Sequence, residues 1–279
     1  MKILDGKELA GFVKERQAAE VRSLQAQGVS PKLVIIRDSD NPVIVKYVNL
    51  KAAYGADIGV EVLDVLVSGM EGAKKAIAEA NLDSTVSGII VQLPLKDVSA
   101  TDEVVSLIAP EKDVDGLSGS VLDLKFARGE KVEFSDRPFD SATATAINWL
   151  LTGYDINLSD KKIALVGRGR LVGAPLYRMF VNSGLDVTVF GHDTDLTALR
   201  DYDVIISATG VAHLIKSAMI KPGAVVVDAG TASEGGKLVG DVDPKILERK
   251  DLAAVTPVVG GVGPLTVAAL FDNVIRGAK

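Results

Sequence analysis

Apolar residues along this chain alternate between helical spacing and short unbroken runs. Residues 5 to 27 carry Leu9, Phe12, Val13 and Val21 at helical spacing and read as one amphipathic helix. Pro31 then leads into Lys32-Leu-Val-Ile-Ile-Arg37, a continuous apolar strand. Asn41-Pro42 opens a helix running to about Ala56, and Val60 to Val67 alternates as a strand. Glu71 to Asn81 predicts a helix, Val86 to Leu93 a buried strand, and Thr101 to Ala109 another short helix. The second half repeats the logic. Lys161 to Gly167 reads as a strand, with a glycine-bearing turn and a helix from about Val172 to Ser183 behind it. Further strands are expected at Asp186–Phe190, Asp203–Ser207, Ala224–Asp228 and Leu252–Val255.

Strands alternating with helices argue for parallel pairing through βαβ units. The expected class is α/β, with two domains, each a mostly parallel sheet flanked by helices. The second of these reads as a Rossmann-like dinucleotide-binding domain. Lys125 to Asp140 is polar, holds Gly129 and Pro138, and marks a boundary region. The predicted helix Ala142 to Leu151 carries the chain across it. The expected domains are residues 1–120 and 121–279.

Composition narrows the functional classes. The chain has 279 residues, enough for two domains of ordinary size. Aromatics are scarce at 5%, so the core must be Val, Ile, Leu and Ala, as covered parallel sheets require. There is no cysteine and there are only two histidines, His192 and His213, which excludes thiolate and His-rich metal sites; no metal site is expected. The net charge of −6, with no basic block, argues against nucleic-acid binding over a broad surface. No apolar run approaches membrane-spanning length and the N-terminus lacks a signal-peptide pattern, so no membrane association is expected and the location is expected to be cytoplasmic.

The richest segment is Thr256-Pro-Val-Val-Gly-Gly-Val-Gly-Pro-Leu-Thr266. Three glycines and two prolines in eleven residues are expected to exclude a regular element. The segment follows the apolar run Leu252 to Val255 and precedes Val267 to Phe271, which reads as a helix. A glycine-rich turn between strand and helix brings backbone N–H groups close to a ligand. Gly260, Gly261, Val262, Gly263 and Pro264 are therefore candidates for ligand contact.

Tyr47 and Lys51 lie four apart on a predicted helix and so share one face. Partial burial lowers a lysine amine towards neutrality and suits it to proton transfer. On their own, such pairs are common on helix surfaces. Gln92 closes the apolar run Gly88 to Val91 at the strand end where open α/β sheets place ligands, and Leu93-Pro94 follows it. Its amide can accept from an ammonium and donate to a substrate oxygen at once. Lys112-Asp-Val-Asp-Gly116 sets two carboxylates two residues apart, too few for calcium. Asp115 is the better candidate to pair with heterocycle N–H donors, and Asp113 the better turn cap.

Gly167-Arg-Gly-Arg-Leu-Val-Gly173 follows a strand and opens a helix, the context a dinucleotide fingerprint requires, with one residue more than the usual spacing. Asp228-Ala-Gly230 at a later strand end strengthens it, and Thr231 follows there. Gly167, Arg168, Gly169, Arg170, Gly173, His192, Asp193 and Thr231 are the cofactor candidates. Arg168, Arg170 and His192 favour a 2′-phosphate, whereas Asp193 favours a free ribose hydroxyl, so NADP and NAD both stay open.

Taken in order, Tyr47-x-x-x-Lys51, Val91-Gln-Leu-Pro-Leu95, Lys112-Asp-Val-Asp-Gly116, Gly167-Arg168 with Val172-Gly173, Gly240-Asp-Val242 and Thr256 to Thr266 cover nearly the whole chain. That order resembles the bifunctional methylenetetrahydrofolate dehydrogenase/methenyltetrahydrofolate cyclohydrolase family. The resemblance implies oxidation of 5,10-methylenetetrahydrofolate by hydride transfer to NADP, then hydrolysis of the methenyl product to 10-formyltetrahydrofolate. It implies a catalytic amine at Lys51, tuned by Gln92. It also implies Tyr47 stacked on the folate and Asp115 on the pterin edge, with Gln92, Leu93, Pro94 and Gly260 to Pro264 binding substrate. It makes residues 1–120 the catalytic, folate-binding domain and 121–279 the NAD(P)-binding one. Helix 267–277 is expected to pack back on the first, in a homodimer with the folate cleft between domains.

The chain departs from that family's pattern at Ile44 and Gly169, where serines are usual, and at Val259, where proline is usual. Ser141-Ala-Thr-Ala144 keeps only Thr143 of a Pro-Cys-Thr-Pro segment, and the asparagine expected near Val121 is absent. Two other readings remain: a two-domain dehydrogenase of another small substrate, and a degenerate relative with one activity or with binding alone.

Overall fold

The computed structural model describes residues 1–134, 137–234 and 237–279. In chain order its elements begin with β1 (Lys2–Ile3), α1 (Gly6–Ala26), β2 (Lys32–Arg37) and α2 (Pro42–Ile58). β3 (Glu61–Leu66), α3 (Gly69–Leu82), β4 (Gly88–Val91), α4 (Thr101–Val105) and α5 (Ser120–Phe126) follow. α6 (Ala142–Gly153), β5 (Ile163–Val166), α7 (Gly173–Asn182), β6 (Val187–Phe190), β7 (Val204–Ser207) and β8 (Val225–Asp228) come next. The chain closes with β9 (Ala232–Glu234), β10 (Lys237–Val239), β11 (Ala254–Val255) and α8 (Val262–Gly277).

The chain forms two compact units. One comprises residues 1–10, 122–133 and 143–266, and the other 11–121, 134–142 and 267–279. The first holds a six-stranded sheet in the order β1-β11-β8-β7-β5-β6, parallel throughout. The second holds a three-stranded parallel sheet in the order β3-β2-β4. β9 and β10 pair separately as an antiparallel hairpin. This is the two-domain α/β class expected from the pattern, with parallel sheets covered by helices.

Burial explains why the apolar runs became strands. Leu33 to Ile36, Ile89 to Val91, Ile163 to Val166 and Val204 to Ile206 are all buried, since parallel strands are covered on both faces. β3 is an edge strand, and its exposed Leu63 and Leu66 follow from that place in the sheet. α5 is not among the expected elements, since its seven residues, the last of them in the polar stretch from Lys125, are too few for helical periodicity to show. Within the three-stranded unit Gln17 is fully buried. It donates to Ala268 O at 2.8 Å and accepts from Tyr54 Oη at 2.8 Å, tying α1 and α2 to α8. Tyr54 also stacks on Phe271 at 5.1 Å between centroids.

One expectation needs correction. The glycine-rich segment is not wholly irregular, because α8 begins at Val262 and takes in Val262-Gly-Pro-Leu-Thr266. Pro264 is tolerated there because the first turn of a helix leaves its N–H groups without intrahelical partners. Among the described residues no helix is long and apolar enough to cross a membrane.

Candidate active site

In the three-stranded unit the chain reverses its direction of winding between β2 and β4, and open α/β sheets bind ligands outside such a point. Gln92 is the residue just past β4, and its N–H donates to Ile36 O at 2.8 Å, which continues the ladder and fixes its place. α2 begins beyond the end of β2. Asn41 caps it by accepting from Val43 N–H at 2.9 Å, Pro42 occupies its first turn, and Gly59 ends it at φ 86°. Ile44, Val48, Gly55 and Ile58 form its buried face, and Lys51 falls on that face by helical spacing.

The two side chains meet. Lys51 Nζ donates to Gln92 Oε1 at 2.6 Å, while Gln92 Nε2 donates to Leu93 O at 3.1 Å. Burial lowers the Lys51 pKa from its ordinary value, and the charge of Asp115 opposes that in part. Burial likewise pushes the Asp115 carboxyl up to about 6, with Lys51 pulling it down and Asp113 adding to the rise. Both groups shift towards their neutral forms, so desolvation outweighs their mutual attraction. Tyr47, one turn before Lys51, is exposed on α2.

Asp115 sits on a loop held from several sides. Asp113 caps the turn by accepting from Leu117 N–H at 3.1 Å and Ser118 N–H at 2.7 Å. Gly116 takes φ 68°, where glycine is favoured. Val114 packs on Gly88, where a Cβ would lie 2.6 Å from Val114 Cγ1. Asn273 of α8 donates to Val114 O at 2.9 Å and to Asp140 O at 3.2 Å. Lys112 Nζ donates to the carbonyls of Ala80, Asn81 and Asp83 at 3.0, 2.8 and 2.7 Å, closing the C-terminal end of α3. Near the Leu93-Pro94 segment, whose peptide bond is cis, Asp38 accepts from Lys96 N–H at 3.0 Å.

Asn273, Lys112, Asp38 and Gly88 were missed from sequence. Asn273 carries a signal, as one of two adjacent polar residues, with Asp272, on the otherwise apolar stretch Val267 to Ile275. Lys112 stands in the Lys112-Asp-Val-Asp-Gly116 motif, but that motif gives no hint of its role, because its three acceptors come from the end of α3 and the residue that caps it.

The six-stranded unit reverses between β5 and β7, and the fingerprint turn follows β5. Gly167 takes φ 94°, and a Cβ there would lie 2.7 Å from Ala208 O. Gly173 opens α7, and a Cβ there would lie 2.1 Å from Gly167 O. Side chains at these two positions would fill the cradle that a pyrophosphate needs, so the residues present fit a dinucleotide. Gly169 O accepts from Ala174 N–H at 3.0 Å within this turn, and Arg170 lies next to Gly169. The Arg168 guanidinium runs beside Gly191, just past β6, at 3.7 Å from where a Cβ would stand. Next to it His192 and Asp193 are fully exposed, with Nδ1 3.2 Å from the Asp193 carboxylate. Thr231 is exposed past β8. The Gly260 carbonyl accepts from Lys7 N–H at 3.0 Å, and Gly6 has no room for a Cβ beside Gly261 O, so this loop rests on the first turn of α1.

A glycine-cradled strand-to-helix turn in one parallel-sheet unit, with a desolvated lysine–glutamine pair in the other, defines a two-unit dinucleotide-binding α/β enzyme. The family model for the tetrahydrofolate dehydrogenase/cyclohydrolase catalytic domain matches residues 4–115, and that for the NAD(P)-binding domain of the same family matches residues 141–279. A bifunctional protein FolD from Aquifex aeolicus is 38% identical over 286 residues, covering 99% of this chain and 95% of its own. The crystal structure of the FolD dehydrogenase/cyclohydrolase from Campylobacter jejuni superposes with a TM-score of 0.90 at 34% identity, covering 100% and 98% of the two chains. That of the Trypanosoma brucei enzyme, complexed with NADP and an inhibitor, gives 0.88 at 30% identity, covering 99% and 96%. The chain belongs to the tetrahydrofolate dehydrogenase/cyclohydrolase family.

Proposed function

We propose that this chain oxidises 5,10-methylenetetrahydrofolate and then hydrolyses the 5,10-methenyl product to 10-formyltetrahydrofolate, with both activities retained. NADP, when bound at the Gly167–Gly173 turn, supplies the acceptor for the hydride that leaves the bridging carbon. In the second reaction water adds to that carbon, one ring C–N bond breaks, and a proton is released. Lys51 is the group for that proton. Its pKa is lowered by burial, and Gln92 holds its Nζ in one place at 2.6 Å. This pairing is the observation that carries the reading.

Asp115 holds the pterin edge, Tyr47 stacks on the folate, and Leu93, Pro94 and the Gly260, Gly261, Val262, Gly263 and Pro264 run contribute to substrate binding. Arg168, with Gly169, Arg170, His192, Asp193 and Thr231, receives the cofactor's ribose and phosphates. The protein works in the cytoplasm, as the missing signal-peptide pattern suggests, and as a homodimer, as the family resemblance implies.

Lys51→Met tests the assignment, since it keeps the buried stem and removes the amine. Methenyltetrahydrofolate hydrolysis, followed by the loss of its near-ultraviolet absorbance, should fall by at least about a hundredfold. Circular dichroism and folate affinity should stay close to wild type. Hydrolysis at the wild-type rate would end the proposal.

A further inference from the structure

Gly240-Asp-Val242 and Asp228-Ala-Gly230 have no place in the chemistry above, yet they meet at the ligand-binding edge of the six-stranded sheet. Asp241 is fully buried. Its Oδ2 accepts from Ser207 Oγ at 2.7 Å and from Thr209 N–H at 2.6 Å. Its own N–H donates to Asp228 Oδ1 at 3.1 Å, and Val242 N–H donates to Asp228 Oδ2 at 2.9 Å. Asp228 Oδ1 also accepts from Gly230 N–H at 2.9 Å, while its backbone N–H donates to Thr256 Oγ1 at 2.9 Å. Two carboxylates thus tie together the ends of β7, β8 and β11 and the segment returning from β10.

Glycine is required on both sides of this pair. A Cβ at Gly230 would stand 1.9 Å from Asp241 Oδ1, and one at Gly240 would stand 2.0 Å from Asp228 Oδ2. Burial raises the Asp228 carboxyl above its ordinary value, and Asp241 adds to the rise. Two acids side by side in a protein interior oppose folding. A general need for packing would be met better by apolar residues of the same size.

What the two acids hold are loops. Asp241 holds Thr209, and the Ala208–Thr209 segment faces Gly167, whose missing Cβ would meet Ala208 O at 2.7 Å and Thr209 Cγ2 at 3.0 Å. β5 and β7 are the neighbours at the winding reversal, so this segment is the wall of the crevice opposite the fingerprint turn. Asp228 holds Gly230, next to Thr231.

We propose that Asp241, braced by Asp228, is a positioning residue for the dinucleotide, holding the Ala208–Thr209 wall at the distance from Gly167 that the pyrophosphate and nicotinamide half need. The proposal rests on the placement of NADP at the Gly167 turn. Asp241→Ala leaves Thr209 N–H without its acceptor and frees the wall.

Titration calorimetry with NADP on wild type, Asp241→Ala, Asp241→Asn, Ser207→Ala and Arg168→Ala, with dehydrogenase kinetics alongside, tests it. Asp241→Ala should raise the NADP Kd and KM about ten- to a hundredfold, because a charge-assisted acceptor is lost. The KM for methylenetetrahydrofolate should move far less. Asp241→Asn, whose amide oxygen can take both donors at the Oδ2 position, should recover most of the affinity. Ser207→Ala, which leaves the Thr209 bond in place, should fall between. A purely structural role would instead lower the melting temperature and impair both substrates alike, with no recovery in Asn, and that outcome would overturn the proposal. So would wild-type NADP affinity in Asp241→Ala while Arg168→Ala binds weakly. If Arg168→Ala also binds NADP normally, it is the placement of the cofactor at this turn that fails, and the proposal falls with it.

Discussion

Replacing Gln92 with methionine removes the acceptor from Lys51 while keeping a side chain of similar length. The bond lost is short, at 2.6 Å, and its donor is an ammonium in a largely desolvated place. Hydrogen bonds to charged groups contribute about 1.5–3 kcal/mol. Losing the bond should therefore lower the Lys51 pKa further below its ordinary value. The sign follows from the chemistry: the acceptor stabilises the charged form, and without it the proton leaves more readily. The assay is the pH dependence of kcat/KM for methenyltetrahydrofolate hydrolysis, which reports groups on the free enzyme. The limb that disappears in Lys51→Met should move to lower pH in Gln92→Met. In Gln92→Glu it should move to higher pH, since a carboxylate holds the ammonium more strongly. A limb that stays at the wild-type pH in both variants would refute the coupling between the two side chains.

The Asp115 carboxyl, pushed up to about 6 in the folded chain from an ordinary 3.8, contributes stability that is complete below pH 4 and lost as pH rises through 6. Asp115→Asn should therefore gain on wild type over that window, by at most about 3 kcal/mol, in urea unfolding at a series of pH values. A stability difference that stays flat from pH 4 to 7 would exclude this. At the proposed cofactor turn, Asp193 stands fully exposed two residues past Gly191, beside which the Arg168 guanidinium runs, and its like charge would oppose a 2′-phosphate there. Asp193→Ser should raise the ratio of specificity constants for NADP over NAD, and Arg168→Ala should lower it. An unchanged ratio in Asp193→Ser would remove that residue from cofactor choice.

Much of the architecture was readable from local sequence because its elements carry strong periodic signals. The β2 strand falls on Lys32–Arg37, the run that the apolar pattern marked, and α2 opens at the Asn41-Pro42 cap. Such signals are local, since a cap, a proline at the first turn and an unbroken Val/Ile run each act within a few residues. The glycine-rich segment misled for the opposite reason. Its composition disfavours a helix, yet Val262 and Leu265 are buried and the helix is extended through Gly263 and Pro264 to bury them.

The sequence by itself also marked the candidates for chemistry, because Lys51, Gln92 and Asp115 stand in motifs whose spacing is independent of the rest of the chain. It did not determine what those residues do to one another. That Lys51 Nζ reaches Gln92, 41 positions away, depends on α2 and β4 flanking the same winding reversal. That Asp115 is pushed towards neutrality depends on its burial, in a loop that a residue as distant as Asn273 helps to hold through the neighbouring Val114 carbonyl. Acid pairs such as Asp228 and Asp241 look like unremarkable strand-end residues until the sheet order brings their loops together. Residue types follow from the chain, but pKa values and loop positions follow from desolvation and distance, and only the tertiary structure sets those.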